Sequence, residues 1–332
     1  MIGIVATVGP SLNTEKAISA VIAAGATGFR IPLARQRGDR AVELGESIRA
    51  VAQDRGVPIS VYLDVPGPKK FLILDAPVDH AQQASIEASF VSPDLAPAQA
   101  NGQLLAADRP REYFVPGDRV IVGDGEAELT VDHLGERTIS LTVASGRIGP
   151  GRHGIAVPGK EGHRAQGDVG ITAQLPVISA LPWAAVMPSF IESASQLTAV
   201  RAALGRAGGE VWAKVETRAG ADACESIATA SDGVLLGRGD LLIDAGMESY
   251  YAAEQKILRA SLASGKPLMV GTQLWTSSST SALPHRSELS YICHLVERGV
   301  ASLMLSDETT VGADPAKSIA DIRELIQSCG ER

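Results

Sequence analysis

The sequence predicts an α/β protein, a (β/α)8 barrel (TIM barrel) whose third strand is followed by an inserted small antiparallel β domain. Three observations lead there. Short apolar runs, often β-branched, alternate with helical patterns eight times along the chain. Continuous apolar strands between helices imply a parallel sheet covered on both faces, and eight such units suit a closed barrel. The alternative, a doubly wound sheet, lacks a glycine-rich dinucleotide fingerprint after its first strand, and Gly-Arg-Gly-Asp at 237–240 is too short to be one. Finally, one stretch of about 90 residues changes from continuous to alternating hydrophobicity, the mark of strands with one solvated face.

Taken in order, IGIVAT (2–7) precedes a helix opening near Asn13-Thr14-Glu15, where polar caps meet an acidic first turn. GFRIPL (28–33) precedes a helical run at 39–53, and PISVYLD (58–64) is the third strand. WAAVMPSF (183–190) leads to a helix at about 193–204, VWAKVE (211–216) to one at about 218–229, and GVLLG (233–237) to one at about 248–263. PLMVGT (267–272) leads to a helix at about 286–297. SLMLS (302–306) leads to the last, with Asp314 as N-cap and Pro315 at its first position.

The interruption holds VIVGDGEAELTV (120–131) and TISLTV (138–143), with glycine turns at Gly123-Asp124-Gly125 and Gly135-Glu136. Asp118 and Asp124 are expected to serve turns. Pro66-Gly67-Pro68 and Val157-Pro158-Gly159 mark hinges at both flanks, so the expected domains are 1–69 with 161–332 for the barrel and 70–160 for the insert. An insert after the third strand is expected over the C-terminal face, where such barrels keep their active sites, and in a position to act as a lid.

Composition narrows the function. A formal net charge of −8 with no Lys/Arg cluster argues against nucleic acid as a partner. Hydrophobic residues make up 45% and aromatics only 4%, so aliphatic side chains must fill the core. Cys224, Cys293 and Cys329 show neither metal-ligand spacing nor a disulfide framework, as expected of a reducing cytosol. No apolar run approaches the ~20 residues of a membrane span, and the N-terminus lacks a basic leader, so a soluble cytoplasmic protein is expected.

The candidate chemistry lies at two adjacent strand ends. Lys214 and Glu216, two residues apart in a strand, share a face. Asp240 follows the next strand in a glycine-flanked loop, where backbone can approach a ligand closely. Two carboxylates and a cation there suit a hard divalent ion whose shell is completed by substrate oxygens and water. The alternative is a surface salt bridge and a turn aspartate.

These segments together resemble the pyruvate kinase family from the first strand to the last helix. ATVGPS is similar to that family's T-x-G-P-x-S, GFRIPLAR to A-R-L-N-F-S-H, and LDVPGPK to L-D-T-K-G-P-E. MPSFI resembles A-S-F-I, WAKVET resembles S-K-I-E-N, and SDGVLLGRGDLLI resembles S-D-G-I-M-V-A-R-G-D-L-G. GKPLMVGTQL, PHRSE and ASLMLSDETTVGADP are similar to G-K-P-V-I-C-A-T-Q-M, P-T-R-A-E and A-D-x-x-M-L-S-G-E-T-A-x-G-x-x-P. The resemblance ends where the family adds a C-terminal domain, which implies a chain without that regulatory domain.

The resemblance implies roles. Glu216 and Asp240 match ligands of Mg²⁺ or Mn²⁺, and Lys214 matches the lysine that neutralises the transferring phosphoryl group or enolate. Thr272 matches a threonine on the face where the methyl carbon is protonated, and Arg30 an arginine beside the substrate phosphate. Gly239 lies where a backbone amide meets the substrate carboxylate, with Ser189 and Phe190 on the same floor. Residue by residue, the alternatives are a structural bridge to Asp64 for Arg30 and an N-cap for Thr272. Ser306 and Glu308 are expected to stabilise the last loop, and His285 is expected to flank a helix at the surface, with an acid–base role as its alternative.

The departures concern the other half of the site. Pro32, Ala34 and Val65 replace monovalent-cation ligands, leaving Asp64 alone of that group and a K⁺ site lost. Pro66 and Phe71 replace a lysine and an arginine on the phosphate side, and Lys69 and Lys70 lie nearby as candidate substitutes for the monovalent ion in a K⁺-independent kinase. A phosphate dianion losing those partners binds several kcal/mol more weakly, at roughly 1.5–3 kcal/mol per charged hydrogen bond. The expectation is a metal-dependent lyase or carbon–carbon bond enzyme on pyruvate or another 2-oxo acid. A K⁺-independent pyruvate kinase using phosphoenolpyruvate and a non-catalytic binding protein are the alternatives, and self-association through the barrel helices stays open.

Overall fold

A computed structural model describes the chain apart from residues 1, 68–69, 83, 93–101, 108–109, 124, 161–169, 208, 280, 282 and 331–332. The readings of Lys69, Pro68 and Asp124 fall outside the described residues. Three strands open the barrel: β1 (Gly3–Thr7), β2 (Gly28–Pro32) and β3 (Ser60–Val65). The insert contributes β4 (Lys70–Leu74), β5 (Val78–Asp79), β6 (Ser85–Val91), β7 (Leu104–Ala106), β8 (Arg119–Val122), β9 (Ala127–Leu134), β10 (Thr138–Ile148) and β11 (Gly151–Ala156). The barrel resumes with β12 (Ala185–Pro188), β13 (Glu210–Val215), β14 (Gly233–Gly237), β15 (Leu268–Gly271) and β16 (Ser302–Leu305).

The barrel is closed and parallel, in the order β1-β16-β15-β14-β13-β12-β3-β2. Inward positions of successive strands stack Val5, Ala185, Met187, Trp212, Leu235, Met269 and Met304 into one core cluster. Trp212 is its bulkiest member. A β-carbon on Gly233, its register partner, would lie 2.4 Å from the indole, so the strand is bare there to seat the ring. Since side chains alternate, Lys214 and Glu216 follow Trp212 toward the interior at the C-terminal end of β13.

The insert is a second sheet, in the order β5-β10-β6-β7-β4-β11-β8-β9, with its own core of Leu72, Ile86, Leu105, Phe114, Leu129 and Leu141 among others. One pairing departs from the antiparallel expectation: β6 and β7 run parallel. Residues 92–103 between them are long enough for the crossover that parallel neighbours need. By compactness the chain divides into residues 1–67, 165–239 and 251–332 on one side and residues 68–164 with 240–250 on the other.

Several helices carry the expected caps. Thr14 accepts from the amide of Ala17 at 3.2 Å, Ser193 caps the helix Ala194–Leu204, and Asp314 accepts from Lys317 ahead of Pro315–Gly330. The sequence reading omits the helix Ile171–Ala180, whose Pro176 hides it. It also omits a short helix that begins at Arg238; the backbone breaks at Gly246, where φ is 71°, and the expected helix follows, ending at Ala263. The cysteine reading is corrected as well. Cys293 and Cys329, on the helices Arg286–Glu297 and Pro315–Gly330, form a disulfide with Cα atoms 5.7 Å apart. Their separation of 36 residues left no local pattern to read. Cys224 is a free, buried thiol whose pKa burial pushes up to about 11. Among the described residues no helix is long and apolar enough to cross a membrane.

Replacing Trp212 by alanine removes the side chain that fills the barrel base and should cost about 3–5 kcal/mol of stability, read by urea unfolding.

Candidate active site

The C-terminal ends of β2, β3, β12 and β13, four neighbouring strands, deliver Arg30, Asp64, Ser189 and Lys214 to one cluster. Arg30 grips one carboxylate oxygen of Asp64, through Nε at 2.8 Å and Nη2 at 2.5 Å. The Lys214 ammonium donates to the other oxygen of Asp64 at 2.9 Å and to Ser189 Oγ at 2.7 Å. Ser189 in turn donates to the Val65 carbonyl at 2.9 Å. The Glu216 carboxylate lies 3.6 Å from Lys214 Nζ, and its Oε1 accepts the Phe190 amide at 3.0 Å. Asp64, Lys214 and Glu216 are buried, while the Arg30 side chain keeps 18% of its surface exposed. The alternative reading of Arg30 as a bridge to Asp64 therefore describes a contact that is present, and that contact is part of the cluster.

Two positive and two negative charges balance here, and their protonation follows from that balance. Burial on its own would raise the Asp64 pKa, but Lys214 and Arg30 outweigh it and hold the carboxyl well below the usual carboxylate range. Burial would lower the Lys214 pKa, and Asp64 and Glu216 outweigh it in turn, so its pKa is raised.

The surrounding backbone is held tightly. Phe190 (φ 57°), Thr272 (φ 78°) and Gln273 (φ 52°) are the non-glycine residues with left-handed backbone among those described, and all follow barrel strands. Such conformations cost about 1–3 kcal/mol each and gather at functional sites. Phe190 is buried, and a β-carbon on Gly67 would come within 2.5 Å of its ring. Thr272 begins no helix, which removes its N-cap reading; its carbonyl accepts from Arg238 at 2.8 Å. Nothing in the sequence pattern announced these strained turns, nor the partners of Arg238.

For a divalent ion, the test is the chemistry of the donor set. Glu216 offers a buried carboxylate, and its Oε2 occupies the place a β-carbon on Gly237 would fill, at 2.6 Å. Gly239 and the exposed Asp240 follow Gly237 in the first turn of the next helix. Among the described residues no group of three or more His, Cys, Asp or Glu converges. A hard cation held by one or two carboxylates fits this set.

Other expected residues have structural positions. Glu308 is buried and accepts the amides of Leu274, Trp275 and Ser306, which fixes the last loops, as expected. His285 is exposed at the head of its helix, its amide donating to Ser277 and Glu288. Asp118 pairs with Lys160 and accepts the Val115 amide. Val65 is fully buried, the Phe71 ring carries the Arg152 guanidinium at 3.7 Å, and the Lys70 ammonium sits 4.0 Å from the Tyr113 ring.

The cluster sets a pH dependence. Asp64, with a lowered pKa, stabilises the fold fully above its unfolded value of about 3.9, and that contribution is lost as pH falls through its folded value. Lys214, with a raised pKa, contributes fully below about 10.4 and loses that contribution as pH rises through its folded value. Asp64→Asn should cost about 3–5 kcal/mol between pH 5 and 9 by leaving two cations under-compensated, and the gap should begin to narrow as pH falls below about 4. Urea unfolding across pH checks this.

Comparison with known proteins agrees with this frame. The family model described as pyruvate kinase, barrel domain, matches residues 1–319. The pyruvate kinase of Methylorubrum extorquens is 29% identical across 98% of this chain and 67% of its own length. That of Leishmania mexicana is 27% identical across 94% of the chain and 64% of its length, and human pyruvate kinase PKLR is 28% identical across 95% and 57%. The match runs from the first barrel strand into the last helix, and the chain belongs to the pyruvate kinase family.

Proposed function

We propose that the chain is a divalent-metal-dependent enzyme that stabilises the enolate of pyruvate or another 2-oxo acid, for cleavage or formation of a carbon–carbon bond. The observation that carries the reading is the Arg30–Asp64–Lys214–Glu216 cluster, kept whole beside positions that can no longer hold phosphate or K⁺. Glu216 and Asp240 would hold Mg²⁺ or Mn²⁺, which when bound supplies Lewis acidity to the ketone oxygen. Lys214, buried, and Arg30 hold fixed positive charge for the developing oxyanion. Asp64 orients both cations and stays ionised, and Lys214, its pKa raised, holds its proton at neutral pH. The Gly239 amide and Ser189 with Phe190 serve the substrate carboxylate end, and Thr272 the carbon that gains or loses a proton. The domain boundaries 1–69, 70–160 and 161–332, a cytoplasmic location, a small-molecule 2-oxo acid as substrate and self-association through the barrel helices belong to the same proposal.

A second reading has its own support. Relatives named pyruvate kinase match nearly the whole chain, and Lys214 occupies the position suited to neutralising a transferring phosphoryl group. Against it stand Pro32, Ala34 and Val65 in place of cation ligands and Pro66 and Phe71 in place of cationic side chains.

The two readings separate in one assay. With Mg²⁺ and no nucleotide, the pyruvate methyl protons should exchange with solvent deuterium, and K⁺ should not accelerate it. Glu216→Gln should slow the exchange at least about a hundredfold. ATP formation from phosphoenolpyruvate and ADP at ordinary concentrations would establish the kinase reading instead, and absence of exchange with either ion would point to a binding protein.

A further inference from the structure

The Thr272–Gln273 turn holds two consecutive left-handed residues, one of them β-branched, where steric clashes make positive φ a genuine outlier. Something must over-determine it. We infer that Arg238, itself fixed by Glu254 and Tyr291, is the positioning residue that holds this turn; the inference rests on the reading above that Thr272 acts at the site. The strands β14 and β15 are neighbours, and Gly237 and Gly271 are register partners, so Arg238 and Thr272 leave the barrel side by side. From there Arg238 Nη1 donates to the carbonyls of both strained residues, Thr272 at 2.8 Å and Gln273 at 3.3 Å. The same guanidinium donates through Nε to Glu254 Oε1 at 3.0 Å and stacks over the Tyr291 ring at 4.3 Å. The Tyr291 hydroxyl closes the triangle by donating to Glu254 Oε1 at 2.8 Å.

The chemistry of each member suits this task. A guanidinium is planar and always charged, with donors in a fixed fork, so gripping Glu254 at one edge fixes the direction of the other. Glu254 is only 3% exposed, and burial makes its charge-assisted bond directional. The aromatic face of Tyr291 prevents the guanidinium from swinging out of plane. A lysine ammonium has three donors but no rigid planar fork, so holding Glu254 does not fix the direction of its other donors. Arg238 also immediately precedes Gly239 and Asp240, so one side chain ties the turn bearing the proposed metal ligand to the turn bearing Thr272. An ion pair serving stability alone would need no contact with the strained carbonyls.

The test uses the full chain with Arg238→Lys, Gln273→Gly and the double variant. Glycine adopts positive φ without steric cost, so Gln273→Gly makes the turn less dependent on its holder. Gln273 has no assigned contact with substrate. For Mg²⁺-dependent deuterium exchange into pyruvate, Arg238→Lys should lower kcat about a hundredfold with KM within about threefold. The double variant should recover at least about tenfold of that loss. The crystal structure of Arg238→Lys should show Thr272 and Gln273 out of the left-handed region. Retention of both positive φ values in that crystal, or equal kcat losses with and without Gln273→Gly, would overturn the inference. If the wild-type chain shows no exchange, the proposed reaction falls, and the crystal structure of Arg238→Lys still decides whether Arg238 holds the turn.

Discussion

A lysine ammonium buried at the end of a barrel strand sets the terms for everything around it. Transfer of an isolated ammonium from water to a protein interior costs several kcal/mol even after relaxation, so Lys214 can stay charged only where carboxylates compensate it. Asp64 and Glu216 do so from neighbouring directions, and Arg30 saturates the remaining oxygen of Asp64. The result is a cluster of two cationic and two carboxylate side chains in which Asp64 and Lys214 hold each other ionised across the neutral pH range. On the reading proposed above, this cluster would meet an anionic ligand and a divalent ion with its charges already in place. Preorganised charge of that kind stabilises a developing oxyanion without reorganisation at the moment of reaction.

The backbone is subordinate to the same cluster. The Phe190 amide points at Glu216 from a left-handed turn, and Ser189 links Lys214 to the Val65 carbonyl. Across the rim, Thr7 and Thr309 exchange hydrogen bonds that join β1 to the loop after β16, and Thr7 Oγ1 receives Arg30 Nη1 at 3.4 Å. Strain at Phe190, Thr272 and Gln273 is thus confined to turns following strands, while the barrel beneath is a close-packed layer around Trp212. A rigid base carrying strained turns is the arrangement expected where geometry matters more than stability.

Much of this was legible in the sequence. The eight apolar runs gave strands within a residue or two of those observed, because continuous hydrophobicity has no other use in a parallel barrel. The i, i+2 spacing placed Lys214 and Glu216 on one face, and both are buried at the strand end. What the sequence did not carry was long-range or conformational. The disulfide joins residues 36 apart on packed helices, and Pro176 concealed a helix. The parallel pairing of β6 and β7 depends on a connection rather than on a pattern. Positive φ at a threonine whose carbonyl accepts from Arg238, a residue 34 positions away at the head of a helix, is a feature that no local propensity encodes. The pairing of Asp64 with both cations joins three strands whose ends are 34 and 150 residues apart.

The central claim is that Glu216 and Asp240 place a divalent ion beside the Lys214–Arg30 charges, so that a 2-oxo acid binds by its oxygens. Anomalous diffraction from crystals grown with Mn²⁺ and oxalate, a mimic of the pyruvate enolate, tests it most directly. The account predicts one manganese peak at direct-ligation distance from both carboxylates, with the two carboxylate groups of oxalate bridging from the ion toward Lys214 and Arg30. Manganese elsewhere on the chain, or oxalate bound away from Lys214, would contradict it.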